Sequence, residues 1–450
     1  MPLLRCSRLP PSASARTPRA RFVQADVFDW RPGARFDVVD SPPLAQVSED
    51  TFCHRQRIDQ RSACVGGDAA GERRFDCPRS RGAGTFRELL SFRIAAPGKT
   101  NQPAHKDRGE IPMRAAVVTA YDQPVQVQEV PVPVPGDGQV LVKIEASGLC
   151  HTDIHAAHGD WPLPPPLPLV PGHEGVGIVE ALGAGVTNMK KGQRVAIPWL
   201  GWACGDCEHC RSGWETYCPQ GRYTGYFTSG CHAEYALASA GFVARVPDGV
   251  DVLDAAPLTC AGVTTFKAVK VSGAQPGDLV AVFGVGGLGH LAVQYAQLAG
   301  ATVVAIDRQD NRLELAEKLG AARIINSASE EPAAAVQALG GARVVIVTSS
   351  GLDSYQQALG SLKRRGTLVA VGAPKDNVLQ LPIFQTIVMG WNIIPSMVGT
   401  RVELAEVLAL HAAGRTTVVR ETRPLTEVNQ AMADVEAGRV EGRLVLDVQS

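Results

Sequence analysis

The 450 residues exceed what one hydrophobic core normally closes, so two or three domains are expected. A chain that is 45% hydrophobic and 20% charged, with 46 glycines and 31 prolines, has the makeup of a globular enzyme and excludes collagen, coiled coil and wholesale disorder. The 44 Lys and Arg nearly balance the 45 Asp and Glu, a net charge of −1, so no overall attraction for nucleic acid or an anionic membrane is expected and a small neutral partner fits better.

That balance is uneven along the chain. Residues 1–112 carry 19 basic against 13 acidic residues (+6), leaving 25 against 32 (−7) for residues 113–450. Of the 19, 17 are Arg, and no hydrophobic period is sustained, so a largely disordered N-terminal extension is expected over 1–112. The opening MPLLRCSRLPPSASARTPRARF has the Arg and Ser content of a transit peptide and no acid before Asp26. Acids then recur steadily, and Met113 stands where a complete domain begins, so the preferred reading is upstream sequence translated from an early start.

Eleven cysteines in a chain of this size, with no secretory signal pattern, favour metal over disulfides. In chain order come Cys150 in GLCHTDIH, then His173 and Glu174 in PGHEGVG. Each is weak alone, since a lone Cys or His is more often a buried core residue. The run ACGDCEHCRSGWETYC follows, with Cys204, Cys207, Cys210 and Cys218 in a C-x2-C-x2-C-x7-C array where four thiolates can converge on one zinc. The spacing is too short for relaxed disulfides; an iron–sulfur cluster is the competitor, because sulfur donors alone do not separate zinc from iron. Cys260, in LTCAGVTT, is the last of the dispersed set.

The longest uncharged run, Leu279 to Ile306, has the length of a membrane span but holds five glycines with His290, Gln294 and Gln297. It is expected to form a buried strand up to Val285, a tight turn, a helix with Leu288, Leu291, Ala292, Tyr295 and Leu298 at helical spacing, and a second strand from Thr302. Gly284, Gly286 and Gly289 make G-x-G-x-x-G at the strand-to-helix junction, where bare backbone and the helix dipole can approach a pyrophosphate; Gly287 and Leu288 belong to the same turn. Asp307, 18 residues after Gly289, can grip ribose hydroxyls and would repel the extra phosphate of NADP, so NAD is expected and Arg308 is read as solvent-facing. The later runs RIIN, VVIVTS and TLVAVG, separated by helix-like stretches such as DSYQQALGSLKRR, complete the alternation of a parallel sheet.

Together, GHE, CHTDIH, the four-cysteine loop and the glycine-rich turn resemble the zinc-dependent, medium-chain alcohol dehydrogenases over residues 113–450. The stretches HGDWPLPPPLPLVPGHEGVG, CAGVTTFKAVK, VGGLGHLAVQYAQ and VEGRLVLD look most like the yeast-type and bacterial propanol-preferring members, and residues 1–112 resemble nothing in them. The resemblance implies an α/β chain: a GroES-like, mainly-β catalytic domain from 113–261 and 397–450, interrupted by a doubly wound, NAD-binding Rossmann domain over 262–396. It implies that Cys150, His173 and Cys260 hold a catalytic zinc with one open position, while the closed four-thiolate loop holds a structural zinc, two ions per chain. Zinc brings bound water from a pKa near ~16 to ~7; a comparable effect on an alcohol is worth ~12 kcal/mol towards its anion.

The remaining roles are likewise implied by resemblance. Asp153 and Glu174 stand behind the ligands, orienting the histidine or tuning the metal. Thr152 begins a proton relay that ends at His155, the alternatives being a capping hydroxyl and a surface histidine. Thr264 packs against the nicotinamide, Arg312 joins Asp307 at the ribose, and Arg443 contacts the pyrophosphate. Ser396 to Arg401, including Val398, lines the nicotinamide with backbone groups, although Pro395 stands where relatives commonly have glycine. Trp161 and Trp199 wall the pocket, which points to short primary alcohols such as ethanol or propanol; Trp202 is read as a core aromatic. A soluble, cytoplasmic homo-oligomer, a tetramer by resemblance, is expected. Two alternatives stay open on sequence: an NADP-dependent aldehyde reductase of the cinnamyl-alcohol type, and a non-catalytic NAD-binding thiol redox sensor. The full Cys150, His173 and Cys260 set argues against the sensor, which needs no open metal site.

Overall fold

The computed structural model describes residues 111–373 and 378–450. The expected disorder of the N-terminal extension therefore falls outside the described residues up to 110, as do Cys6, Cys53, Cys64 and Cys77. One boundary moves: the first strand, Pro112–Val117, begins one residue before the expected domain start at Met113.

The mainly antiparallel sheet that Cys150 and His173 flank is built around the strand Gln139–Leu149, with only its edge pair Arg420–Pro424 and Arg443–Asp447 parallel. Its order is Arg420–Pro424, Arg443–Asp447, Gln139–Leu149, Glu174–Leu182, Arg194–Ile197, Ala244–Arg245, with Tyr235–Ser239 also pairing to Gln139–Leu149. Val140, Val142 and Ile144 alternate onto one face, where they share a core with Val179 and Leu446. The register places Gly148 opposite Glu174 and Leu149 opposite Leu444, so residues nearly 300 positions apart in sequence meet at one sheet end.

The other large sheet is wholly parallel, in the order Arg323–Asn326, Thr302–Asp307, Leu279–Phe283, Ala342–Val347, Leu362–Ala370, Asn392–Pro395. Val280 and Val282 point into one core with Val303, Ala305, Val344 and Ile346. Ala281 and Phe283 point into another with Val304, Ile306, Val345 and Val347. Burial on both faces explains why the central strands carry continuous apolar stretches, LVAVF, VVAI, VVIV and LVA, rather than alternating ones. The order reverses at Leu279–Phe283, which opens a crevice at the carboxyl ends of the strands, where such sheets bind ligands.

Two expectations need correction. The Leu279 strand ends at Phe283, not Val285, because Gly284 adopts φ +90 and turns the chain out of the ladder. In DSYQQALGSLKRR the helix is only Leu352–Gly360; Leu362 begins a strand, since its fully buried side chain joins the core beside Leu368 and overrides the helix preference of Lys and Arg. Among the described residues no helix is long and apolar enough to cross a membrane, and the uncharged run is strand, turn, helix and strand.

Candidate active site

Register sets the first donors side by side. Cys150 follows Leu149 and caps the helix His151–His158, while His173 immediately precedes the strand Glu174–Leu182. Cys260 comes from another direction, on Leu258–Gly262, one wide π-helical turn of the kind that recurs at functional sites. One ligand atom each from Cys150, His173, Glu174 and Cys260 lies within 4.8 Å of the others, and all four residues are buried. Tetrahedral zinc with bonds of about 2.0–2.3 Å spaces its donors about 3.3–3.8 Å apart, so this cluster fits the ion. Nε2 of His173 is fully buried without a hydrogen-bond partner, as expected of an atom that needs a metal.

Asp153 supports this arrangement from behind. Its Oδ1 accepts from His173 Nδ1 at 3.0 Å and from the Gly172 amide at 3.0 Å, and its Oδ2 accepts from the Cys150 amide at 2.9 Å. Because Nδ1 donates to the carboxylate, Nε2 is the free donor atom. Burial alone would raise the Asp153 carboxyl; the charge and hydrogen bond of His173, helped by His232, outweigh it and hold Asp153 well below the ordinary carboxylate range. Glu174 behaves oppositely. Burial pushes its carboxyl up to about 7, although the Arg443 guanidinium bonds Oε1 directly.

Arg443 also reaches the glycine turn: a Cβ on Gly287 would lie 2.8 Å from Arg443 Cδ. The donor cluster and the G-x-G-x-x-G turn are therefore neighbours, bridged by one side chain. Two positions of the turn reject any side chain. Gly284 has φ +90, and a Cβ on Gly289 would lie 1.8 Å from the Gly284 carbonyl oxygen. Gly286 meets only Arg312 Nη1, at 3.8 Å, and Leu288 leads into the helix Gly289–Leu298. Asp307 accepts from the amides of Val285 (2.7 Å), Arg308 (2.7 Å) and Gln309 (3.1 Å), with Arg312 Nη1 at 3.9 Å. Arg308 is exposed, as expected.

Comparison with known proteins agrees with this geometry. Residues 136–248 match the alcohol dehydrogenase GroES-like domain and residues 287–413 the zinc-binding dehydrogenase family. An alcohol dehydrogenase of Geobacillus stearothermophilus is 48% identical over 338 residues, covering 75% of this chain and 99% of that protein. The chain belongs to the zinc-binding, medium-chain alcohol dehydrogenases. An alcohol dehydrogenase of Moraxella sp. is 45% identical over 336 residues, 74% of this chain and 99% of that one. The crystal structure of the alcohol dehydrogenase from Aeropyrum pernix matches with a TM-score of 0.70 at 33% identity, over 74% of this chain and 100% of that chain. Membership makes the protein an oxidoreductase acting between alcohol and carbonyl compound, with zinc and a nicotinamide cofactor.

In this alcohol dehydrogenase the four-cysteine loop is also assembled. Sγ of Cys204 and Cys210 are 3.9 Å apart, near the ~3.8 Å of two thiolates on one tetrahedral zinc and far from the ~2.05 Å of a disulfide. The Asp206 and Cys207 amides donate to Cys204 Sγ at 3.4 and 3.3 Å and draw its thiol down to about 6. Cys207 and Cys218 complete the group, all within 4.8 Å.

The relay and pocket candidates lie around the first cluster. Thr152 is half-buried on the helix that begins after Cys150. His155 shares Nδ1 with Asp160 Oδ1 at 3.0 Å and stacks on Trp161 at 5.1 Å. Trp199 is buried and meets the His173 ring edge-on at 4.9 Å. Thr264 Oγ1 and Ser396 Oγ are buried without partners, and Val398 is held at φ +39, a conformation rare for a β-branched residue. Trp202 is half-buried, packed against the small core of Leu200, Ala203, Cys218 and Phe242 with Arg222 over its ring, and it borders a groove that contains none of the donor residues.

Several contacts went unread in the sequence. Tyr226 and Tyr223 pack on Trp161 and Trp199 at 5.3 and 5.1 Å, and the aromatic run RYTGYF was their only signal. Glu215, in the four-cysteine loop, accepts from the Arg401 amide at 3.0 Å and Nη2 at 2.7 Å, which ties that loop to the helix Arg401–Ala412. Nothing local marked either partner. His232 also went unread.

Proposed function

We propose that this dehydrogenase oxidises short primary alcohols such as ethanol and propanol to aldehydes with NAD, and runs the reverse reaction with NADH. The observation that carries the reading is the convergence of Cys150, His173 and Cys260 next to Glu174, with Arg443 spanning from Glu174 to the glycine turn. Cys150, His173 and Cys260 would hold the zinc, which would supply Lewis-acid polarisation of the substrate oxygen beside a nicotinamide that would supply the hydride chemistry.

The chain's own residues do the rest. Asp153 fixes the His173 ring so that Nε2 faces the cluster, and Glu174 with Arg443 closes the side towards the cofactor. The Thr152 hydroxyl, two residues from Cys150, takes the substrate proton, which leaves through the half-buried His155; Asp160 on Nδ1 keeps the opposite ring nitrogen available for exchange. The backbone of Gly284, Gly286, Gly287, Leu288 and Gly289, with Arg443, takes the pyrophosphate; Asp307 and Arg312 take the ribose; Thr264 and Val398 border the nicotinamide. The charge of Asp307 disfavours a 2′-phosphate and supports NAD over NADP. Trp161 and Trp199, close to His155 and His173, support a small substrate over an aromatic one.

A second zinc at Cys204, Cys207, Cys210 and Cys218 holds its loop in place. The catalytic domain spans 112–261 and 397–450, and the cofactor domain 262–396. Exposed Ile383, Phe384 and Ile387, just before the edge strand Asn392–Pro395, support assembly with further copies of the chain, and the family resemblance makes that assembly a tetramer. Initial rates with NAD or NADP and with ethanol or cinnamyl alcohol test the reading. NAD-linked ethanol oxidation is expected; turnover confined to NADP and cinnamyl alcohol would replace it with the aromatic-aldehyde reductase.

A further inference from the structure

We propose that His232 is a positioning residue for the metal-binding end of the active site, acting through Asp153; the inference rests on reading Cys150, His173 and Cys260 as zinc donors. His232 lies between the strands Arg222–Tyr223 and Tyr235–Ser239, and its backbone is pinned on both sides. Its amide donates to the Pro171 carbonyl at 3.0 Å, and its own carbonyl accepts from the Ala116 amide at 2.8 Å. The ring is fully buried, with Nδ1 2.8 Å from Ser147 Oγ and Nε2 3.6 Å from Asp153 Oδ2. Nε2 makes no hydrogen bond. Ser147, Asp153 and His173 are also 0% exposed, so the four side chains form a sealed series from the strand Gln139–Leu149 to the donor cluster.

Proton positions follow from the groups present. An ionised carboxylate only accepts, so the ring nitrogen that faces Asp153 carries the proton. Nδ1 is then the acceptor, and the Ser147 hydroxyl donates to it. Asp153 is thus held between two imidazoles, with Oδ1 on His173 Nδ1 and Oδ2 facing the N–H of His232. At 3.6 Å this is an electrostatic contact rather than a hydrogen bond, but both side chains are fully buried, and such a dipole resists rotation of the carboxylate. Gly172 shows how closely the ring is fitted. Its φ is +97, a Cβ there would lie 2.5 Å from His232 Nδ1, and its amide is one of the donors to Asp153. His232 therefore packs against the same turn that presents His173.

The test follows zinc release from the full-length enzyme to a chelator, alongside kcat and the KM values for NAD and ethanol. His232→Phe keeps a ring but loses both nitrogens. It is expected to release one of two zincs about 10–100-fold faster than wild type, with lower kcat, unchanged KM for NAD and unchanged release of the other zinc. His232→Gln, whose amide can present an N–H where Nε2 stands, is expected to recover most of the loss. Ser147→Ala is expected to speed release in the same direction, because Nδ1 then loses its hydrogen-bond donor and the ring is held less firmly with its N–H towards Asp153. Release from His232→Phe at the wild-type rate overturns the proposal, as does His232→Gln behaving no better than His232→Phe. If His232→Phe does not fold, Ser147→Ala decides, and unaltered release there overturns it. A wild-type enzyme holding only one zinc would instead overturn the ligand reading beneath the proposal.

Discussion

Asp153 shows how much one side chain carries: its two oxygens hold the His173 ring and the Gly172 and Cys150 amides, which fixes two of three zinc-donor candidates. In Asp153→Asn an amide NH2 must face one of these N–H donors, so zinc content at that site and kcat/KM are expected to fall about 10–100-fold. Metal analysis beside steady-state kinetics checks it. Asp307 combines a structural with a selective role, since three backbone amides use its carboxylate. Asp307→Ser is expected to shift the kcat/KM ratio towards NADP by at least about tenfold, worth ~1.4 kcal/mol, and to lower Tm through the lost acceptors. The cysteines, His173 and the glycines were legible because their chemistry is written in short spacings. His232 and Tyr226 were not, because their roles arise only from strands that fold back beside them.

At the scale of elements, the strand-to-helix turn admits little change. Gly289→Ala would place a methyl group 1.8 Å from the Gly284 carbonyl, so the turn must shift. NAD affinity, read by cofactor fluorescence titration, is expected to weaken at least about tenfold. The helix Arg401–Ala412 gives a pH signature. Burial would raise Glu403, but the Thr400 hydroxyl and amide and Lys267 outweigh it and hold the carboxyl at about 2. A folded-state pKa below the unfolded 4.5 gives stability that is present above pH 4.5 and lost as pH falls towards 2. Over that window the Tm of wild type is expected to fall more steeply than that of Glu403→Gln. The parallel strands were readable from their continuous apolar stretches because both faces are covered, whereas SLKRR misled because the burial of Leu362 overrides its local preference.

Across the whole molecule, one core joins the two sheets. Val176, Ala196 and Val445 from the mainly antiparallel sheet and Val280 and Val344 from the parallel one share it with Leu258, Ala261 and Val263 around Cys260. Cys260 thus sits at the junction, and the donor cluster faces the glycine turn because the core beneath both is continuous. The pairing of Arg443 with Glu174 was not readable from sequence, since it depends on the last strand lying beside Gln139–Leu149. Zinc analysis of the purified full chain and of Cys150→Ser, each assayed for NAD-linked ethanol oxidation, tests the catalytic centre most directly. Wild type is expected to hold two zincs per chain and turn over, and Cys150→Ser to keep the four-cysteine zinc alone and lose turnover; undiminished oxidation by the variant would contradict the assignment.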